Sequence, residues 1–213
     1  LDVSTAALDE AARRLAAEHA LLRIDNYTGD FHTDLRRVPR SGTRLLLFLG
    51  STIGNMRPAE RRSLLTAAAD SLRPGDGFLV GIDLVKDLNV LLPAYDDAEG
   101  VAAAFGLNLL QVIDRELDAD IPLEAFTYEA VWDPDEECVE MRLVATRDVT
   151  AMIGALDRTV TFAAGDQLVT EHSYKFRTDR FAAELASVGL DLETVHTDSA
   201  ERFAVVLARP AAA

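Results

Sequence analysis

The run Leu45-Leu46-Leu47-Phe48-Leu49, followed by Gly50-Ser51-Thr52-Ile53-Gly54-Asn55, constrains the fold more than any other stretch of the chain. Five consecutive apolar residues predict a strand buried on both faces, and the small polar residues after them cannot continue it. A second such strand, Phe78 to Asp83, is reached through a helix that opens near Pro58 and runs to about Leu72. Arg73-Pro74-Gly75-Asp76-Gly77 then supplies the turn. Strand, helix and strand in this order predict a parallel, right-handed, doubly wound α/β sheet. Such sheets bind ligands outside the carboxyl ends of their strands, where the Gly50–Asn55 loop falls. Glycines admit close backbone approach, and Ser51, Thr52 and Asn55 offer hydrogen-bonding groups. From these residues alone, a ligand loop and an ordinary strand-to-helix turn are equally supported.

The rest of the chain divides by pattern. It opens at Leu1-Asp2-Val3-Ser4 without an initiating Met; Ser4 or Thr5 caps a helix reaching about His19, with Leu8, Ala11, Ala12 and Leu15 on one face. An acidic residue just before a capped helix fits the end of a nucleotide-binding strand, where a carboxylate takes ribose hydroxyls. On that reading the first strand and its glycine-rich loop lie upstream, and the chain is a fragment of a longer enzyme. Leu21 to Asn26 is a short strand candidate, and Val90 to Leu117 reads as helix. From Phe126 the chain alternates through Phe126–Trp132, Cys138–Thr146, Thr159–Phe162 and Leu168–Phe176, which predicts antiparallel hairpins, the last two flanking a turn at Ala163–Asp166. A helix over Asp179–Val188 and strands near Leu192–His196 and Phe203–Ala208 close the chain.

Composition narrows the function. The 213 residues, 49% of them hydrophobic, suffice for one large domain or two modest ones. No apolar run reaches the length of a membrane span, so a soluble protein is expected. A formal charge of −15 argues against nucleic acid and anionic membranes as partners. The single cysteine, Cys138, excludes an internal disulfide and suits the cytoplasm. His19, His32, His172 and His196 lack metal-ligand spacing, so no metal is expected.

Six stretches now fall in order: Asp2-Val3-Ser4; Gly29-Asp30-Phe31; Gly50 to Asn55; Asp83-Leu84-Val85-Lys86-Asp87; Ala94-Tyr95-Asp96-Asp97; and Glu171-His172-Ser173-Tyr174-Lys175-Phe176. Together they resemble the histidine-specific S-adenosylmethionine-dependent methyltransferases of ergothioneine biosynthesis, from Leu1 to about Ala208. The resemblance implies a Rossmann-like methyltransferase domain, residues 1–85 and 176–213 with its N-terminal part missing. Inserted into it is an α+β substrate-binding domain, residues 86–175. It implies three methyl transfers from S-adenosylmethionine to the α-amino nitrogen of L-histidine, giving hercynine and S-adenosylhomocysteine; a monomer without metal is expected. Carried over by position, Asp2 would bind the cofactor's ribose, Asp30 its adenine, Phe31 would donate through its backbone, and Gly50 would lie close by. Asn55 and Tyr95, the implied catalytic pair, would hold the substrate's amino and carboxylate groups. Glu171 and Ser173 would hydrogen-bond its imidazole, with Met141 beside the ring.

These residue types suit that chemistry. Methyl transfer from a sulfonium needs an unprotonated amine aimed at the methyl carbon, so positioning dominates. A carboxylate accepting an imidazole N–H rejects rings that leave it unpaired. Each residue also has a plainer role available. Asp2 can simply favour a helix N-terminus, Tyr95 can be a core aromatic, and Met141 core filler. Glu171 and Ser173, two apart on one strand face, would by themselves be read as solvated. His172 points to the opposite face and takes no role; Lys86 and Lys175 are read as structural ion-pair partners. Gly106, in Phe105-Gly106-Leu107-Asn108, and Asp114 stand where the family tends to have Asn. Three rivals remain: a methyltransferase for another amino acid such as tryptophan, a non-catalytic amino-acid-binding protein built from the truncated fold, and, more weakly, a dehydrogenase. Without the upstream segment the chain is expected to have half a cofactor site, an open sheet edge and no useful activity.

Overall fold

A computed structural model describes residues 1–212. The chain forms two compact units: residues 1–53, 57–82 and from Arg177 onward, and residues 54–56 with 83–176.

The first unit is α/β. Its helices are α1 (Thr5–Glu18), α2 (Pro58–Ser71) and α5 (Thr178–Ala186), and its strands β1 (Leu45–Phe48), β2 (Gly77–Asp83), β8 (Leu190–Thr197) and β9 (Phe203–Pro210), in the order β1-β2-β9-β8. β1 and β2 are parallel, with Leu45 beside Gly77 and Phe48 beside Val80, as a strand–helix–strand crossover requires. β8 and β9 are antiparallel. Ser4 caps α1, its hydroxyl accepting from the Ala7 N–H at 3.2 Å. Pro58 occupies the first turn of α2, where Glu60 accepts from the Arg57 N–H at 2.9 Å. The inner residues are Phe78, Val80 and Ile82 of β2, Leu64, Leu65 and Ala68 of α2, Phe181 and Leu185 of α5, and Val206 and Ala208 of β9. Arg61 of α2 grips Glu184 of α5 through two N–H···O contacts at 2.7 and 2.9 Å.

Two expectations fail here. β1 is not buried on both faces: Leu45, Leu47 and Leu49 are 56, 54 and 51% exposed, while Leu46 and Phe48 are half-buried. β1 is an outer strand that pairs with β2, and only one of its faces is covered among the described residues. Leu21 to Asn26 forms no strand, because no neighbouring strand offers its backbone a ladder; Leu21 is fully exposed. The ladder is confined to a single parallel bridge between Asp2 and Thr28.

The second unit is α+β. After α3 (Leu88–Leu91), a 3-10 turn (Leu92–Ala94) and α4 (Val101–Leu117) come β3 (Phe126–Asp133), β4 (Cys138–Ala145), β5 (Val149–Ile153), β6 (Arg158–Phe162) and β7 (Gln167–Tyr174). β3, β4 and β7 make an antiparallel sheet in that order, and β5 and β6 a separate hairpin. The expected continuous helix over Val90–Leu117 is interrupted. Pro93 lies in the 3-10 turn, Gly100 takes a left-handed φ of 73°, and the Asp97 carboxylate accepts from the N–H groups of Ala102 and Val101 at 2.7 and 3.0 Å. Those backbone donors hold the Asp97 carboxyl below its usual range. Nor do the strands flanking Ala163–Asp166 form a hairpin. β6 pairs with β5, a strand absent from the sequence reading, and β7 pairs with β4. β4 follows the Asp133–Glu136 turn directly, so β3 and β4 meet locally while β7 must be brought in by packing. The core joins Leu110 of α4 to Phe126, Leu143, Ala145 and Val149.

Among the described residues no helix is long and apolar enough to cross a membrane. Asp76 ties the first unit's loops together. Its buried carboxylate accepts from Arg40 at 2.7 and 3.1 Å and from the backbone N–H groups of Arg44 and Arg73, both at 2.8 Å. The Arg40 guanidinium first, then the Arg44 N–H, hold this carboxyl far below the ordinary carboxylate range. A depressed folded-state value means that the stabilisation is present above the unfolded value, about 3.9, and is lost as pH falls below it. Asp76→Asn is expected to lower the thermal midpoint at pH 7 and to flatten its decline below about pH 4, as measured by melting curves at stepped pH.

Candidate active site

Four of the sequence candidates gather in the first unit. Asp2 bridges Thr28, its N–H donating to the Tyr27 carbonyl at 3.2 Å and its carbonyl accepting from the Gly29 N–H at 3.0 Å. This places Asp30 next to the bridge. Asp30 Oδ1 accepts from the His32 N–H at 2.8 Å, and its own N–H donates to Asp34 Oδ2 at 3.1 Å, which holds the loop in shape. Phe31 packs edge-on against Phe48 at 5.3 Å between centroids, two residues before Gly50. Gly50 (φ 80°) and Ser51 (φ 58°) turn the chain sharply off β1; a Cβ at Gly50 would meet nothing nearer than Thr52 Oγ1 at 3.9 Å. Glycine avoids backbone strain there and leaves the loop surface open. Asp2 Oδ1 accepts from the Ser4 N–H at 2.8 Å, so the carboxylate also serves the helix start.

The other five candidates line one cavity of about 420 Å³ in the second unit. Asn55, in a 3-10 turn (Thr52–Asn55), donates through Nδ2 to Glu171 Oε1 at 3.1 Å. Tyr95, directly after the turn Leu92–Ala94, has its hydroxyl 2.9 Å from Ser173 Oγ. Met141 is the cross-strand partner of Glu171 and is buried. Register decides this face. β4 and β7 shift between Met141 and Arg142, because Arg142 pairs with Val169 and Met141 with Glu171, leaving Thr170 as the extra residue. The Thr170 hydroxyl donates to the Met141 carbonyl at 3.0 Å and steadies the bulge. Glu171 is half-buried and Ser173 buried, so the pair does not lie on a solvated face. His172 lies on the other face, with Nε2 3.4 Å from Glu140 and its ring stacked on Tyr174.

Two further residues belong to this cavity wall or its support. The Tyr128 hydroxyl donates to the Tyr95 carbonyl at 2.7 Å. Burial, then the charges of Asp96, Glu171 and Asp97, push the Tyr128 phenol up to about 12. Lys175, read from sequence as an ion-pair partner, does pair with Asp83 at 3.1 Å, but its ammonium also donates to Tyr95 and Ser173, both at 2.6 Å. Lys86 pairs with Asp83 as well. Strand periodicity held the missing signal: Lys175 follows Glu171 and Ser173 at steps of two. The Gly at position 106 also finds its reason, since a Cβ there would lie 2.5 Å from Tyr128 Cδ2, so glycine lets this ring rest against α4.

Comparison with known proteins identifies the site's setting. The family described as "Histidine-specific methyltransferase, SAM-dependent" matches residues 1–210. The chain belongs to this family. A histidine N-alpha-methyltransferase of Mycolicibacterium smegmatis is 47% identical over 97% of the chain, and one of Mycobacterium tuberculosis is 46% identical over the same share. The chain spans 64% of the length of each of these relatives. Ergothioneine biosynthesis protein 1 of Neurospora crassa is 27% identical over 70% of the chain and 17% of its own length. Among solved structures, an S-adenosylmethionine-dependent methyltransferase from Clostridium acetobutylicum superposes with a TM-score of 0.50 at 9% identity, covering 99% of this chain and 73% of that one. The fold of this family member is thus that of a Rossmann-like methyltransferase.

In this family member, Gly106→Ala is expected to lower unfolding stability by about 1–2 kcal/mol through overpacking against Tyr128, despite the helix propensity gained. In a Tyr128→Leu background the same change is expected to be neutral or stabilising by up to ~1 kcal/mol. Urea denaturation of the four proteins measures both.

Proposed function

We propose that this chain forms the substrate-binding part and a portion of the cofactor-binding part of an enzyme that trimethylates the α-amino nitrogen of L-histidine to hercynine, the first step of ergothioneine biosynthesis, in the cytoplasm. The observation that carries this reading is the shared cavity, where an acceptor carboxylate (Glu171), two hydroxyls (Tyr95, Ser173), an amide (Asn55) and a thioether (Met141) converge. Membership of the family supports it.

The first unit's candidates fit an adenosine-bearing cofactor in chemistry. Asp2 is exposed and has one carboxylate oxygen uncommitted among the described residues, which suits a ribose diol. The open surface over Gly50 admits close approach. S-adenosylmethionine, when bound, would supply a methyl on a sulfonium, whose in-line transfer to an amine nitrogen breaks the S–C bond and releases S-adenosylhomocysteine. The loop that leaves β1 carries both Gly50 and Asn55, five residues apart, so it joins the two candidate sets covalently.

The second unit's residues then do the positioning. Glu171 accepts the imidazole N–H, exchanging its present bond from Asn55 Nδ2 for one from substrate. Ser173 meets the other ring nitrogen, and Met141 lies against the ring, a contact that sulfur favours. Asn55 and Tyr95 hold the amino and carboxylate groups and aim the nitrogen lone pair. The amine sheds a proton to solvent before each of the three attacks. Burial favours its neutral form, so no strong base is required. Holding the reacting atoms about 3–3.5 Å apart supplies most of the acceleration.

The test uses the full-length protein with S-adenosylmethionine and equimolar histidine and tryptophan, followed by mass spectrometry. A gain of three methyl groups on histidine alone is expected; methylated tryptophan, or no methylation with cofactor bound, would sink the assignment. Glu171→Ala is expected to cost about a hundredfold or more in kcat/KM for histidine, since an unpaired ring N–H loses its buried acceptor.

A further inference from the structure

The Lys175 side chain is 1% exposed, and its ammonium has three acceptors: the Tyr95 and Ser173 hydroxyls at 2.6 Å and Asp83 Oδ2 at 3.1 Å. An ammonium has three N–H donors and accepts nothing, so all its donors are spent and both hydroxyl oxygens are obliged to accept from it. The two hydroxyls are also 2.9 Å apart, which places one of their two protons between them. The remaining proton has one direction left. If Tyr95 donates to Ser173, the Ser173 O–H is free; if Ser173 donates, the Tyr95 O–H is free. Both residues line the cavity, so in either arrangement the pair offers it a donor. Of the pair's four acceptor lone pairs three are filled, and the fourth lies close to the ammonium charge, which repels a ligand N–H; without Lys175 three would be open and that charge gone.

We propose that Lys175 is a positioning residue that biases the Tyr95–Ser173 pair toward presenting a donor to the cavity. A ligand acceptor is then favoured there over an N–H, because the pair's free O–H points outward and the ammonium behind it repels a donor. Glu171, across the Met141 register position, supplies the opposite preference and demands an N–H. A ring with one N–H and one bare nitrogen, a neutral imidazole, satisfies both ends, whereas a pyrrole or indole, with an N–H alone, satisfies one. Lys175 thereby sets specificity without touching the ligand. This inference rests on the substrate proposed above, so its test separates the two.

Removing one member of a buried charge pair can unfold a protein, whereas removing both is milder. The full-length protein is therefore compared with Lys175→Met, in which Asp83 keeps Lys86 as its partner, and with the double variant Asp83→Asn/Lys175→Met, which removes both charges of the pair and leaves Lys86 an amide oxygen in place of the carboxylate. Two readouts are taken: the Tyr95 13Cζ chemical shift of the ligand-free protein, and kcat and KM for histidine and for β-(pyrrol-2-yl)alanine. The expected result is a moved Tyr95 signal in both variants, with KM for histidine raised about tenfold or more, as for a lost charge-assisted hydrogen-bond network. KM for S-adenosylmethionine and turnover of the pyrrole analogue should change less than threefold, so the preference for histidine collapses. An unmoved Tyr95 signal, an unchanged ratio of histidine to analogue, or a collapsed thermal midpoint in both variants would overturn the proposal. A wild-type protein inactive on histidine, with a Tyr95 signal that still moves on substitution, would overturn the assigned substrate and uphold the role of Lys175 in orienting the hydroxyls.

Discussion

One extra residue in a strand determines which side chains share the cavity. Along β4 and β7 the pairs run Val144–Gln167, Leu143–Leu168 and Arg142–Val169. Continued without a shift, that register would set Glu171 opposite Glu140, with like charges facing each other on the wrong side of the sheet. The bulge at Thr170 instead sets Glu171 opposite Met141 and Ser173 opposite Val139, and pairs His172 with Glu140. The same slip carries Lys175, at the next step of two, toward Tyr95 and Ser173. A strand of alternating residues becomes a coherent polar wall because its phase is reset once.

The polar wall is stiff by construction. Tyr95 is held at its carbonyl by the Tyr128 hydroxyl and at its own hydroxyl by Ser173 and Lys175. Tyr128 can approach because position 106 carries no Cβ. Lys175 is held in turn by Asp83, which also binds Lys86. Tyr95 and Ser173, which would touch a ligand, are thus both backed by Lys175, which lies outside the cavity lining, and buried polar groups that satisfy one another cost less than any left alone.

Much of this was legible in the residues. The two parallel strands around α2, the caps of α1 and α2, the β3–β4 hairpin and the closing helix and strand pair all rest on local signals: apolar runs, Ser4, Pro58 and turn-forming clusters. The site residues were named from a motif order shared with a family, since a lone Tyr or Met on an alternating face carries no local mark of its role. The errors share one cause. Burial of Leu45–Leu49 on both faces, a strand at Leu21–Asn26 and pairing of β6 with β7 each depend on what lies alongside, which neighbours in sequence do not reveal.

The sequence by itself determined which segments are apolar enough to form strands and helices, where turns interrupt them, and which family motifs appear in order. These are properties of a few adjacent residues and of backbone sterics. Only the tertiary structure decided the β4–β7 register, the fit of Tyr128 against Gly106, and the burial of Lys175 between two hydroxyls and a carboxylate. Those outcomes join residues up to 92 positions apart, as from Asp83 to Lys175, and the balance of desolvation, charge and close packing that selects them exists only once the chain has folded.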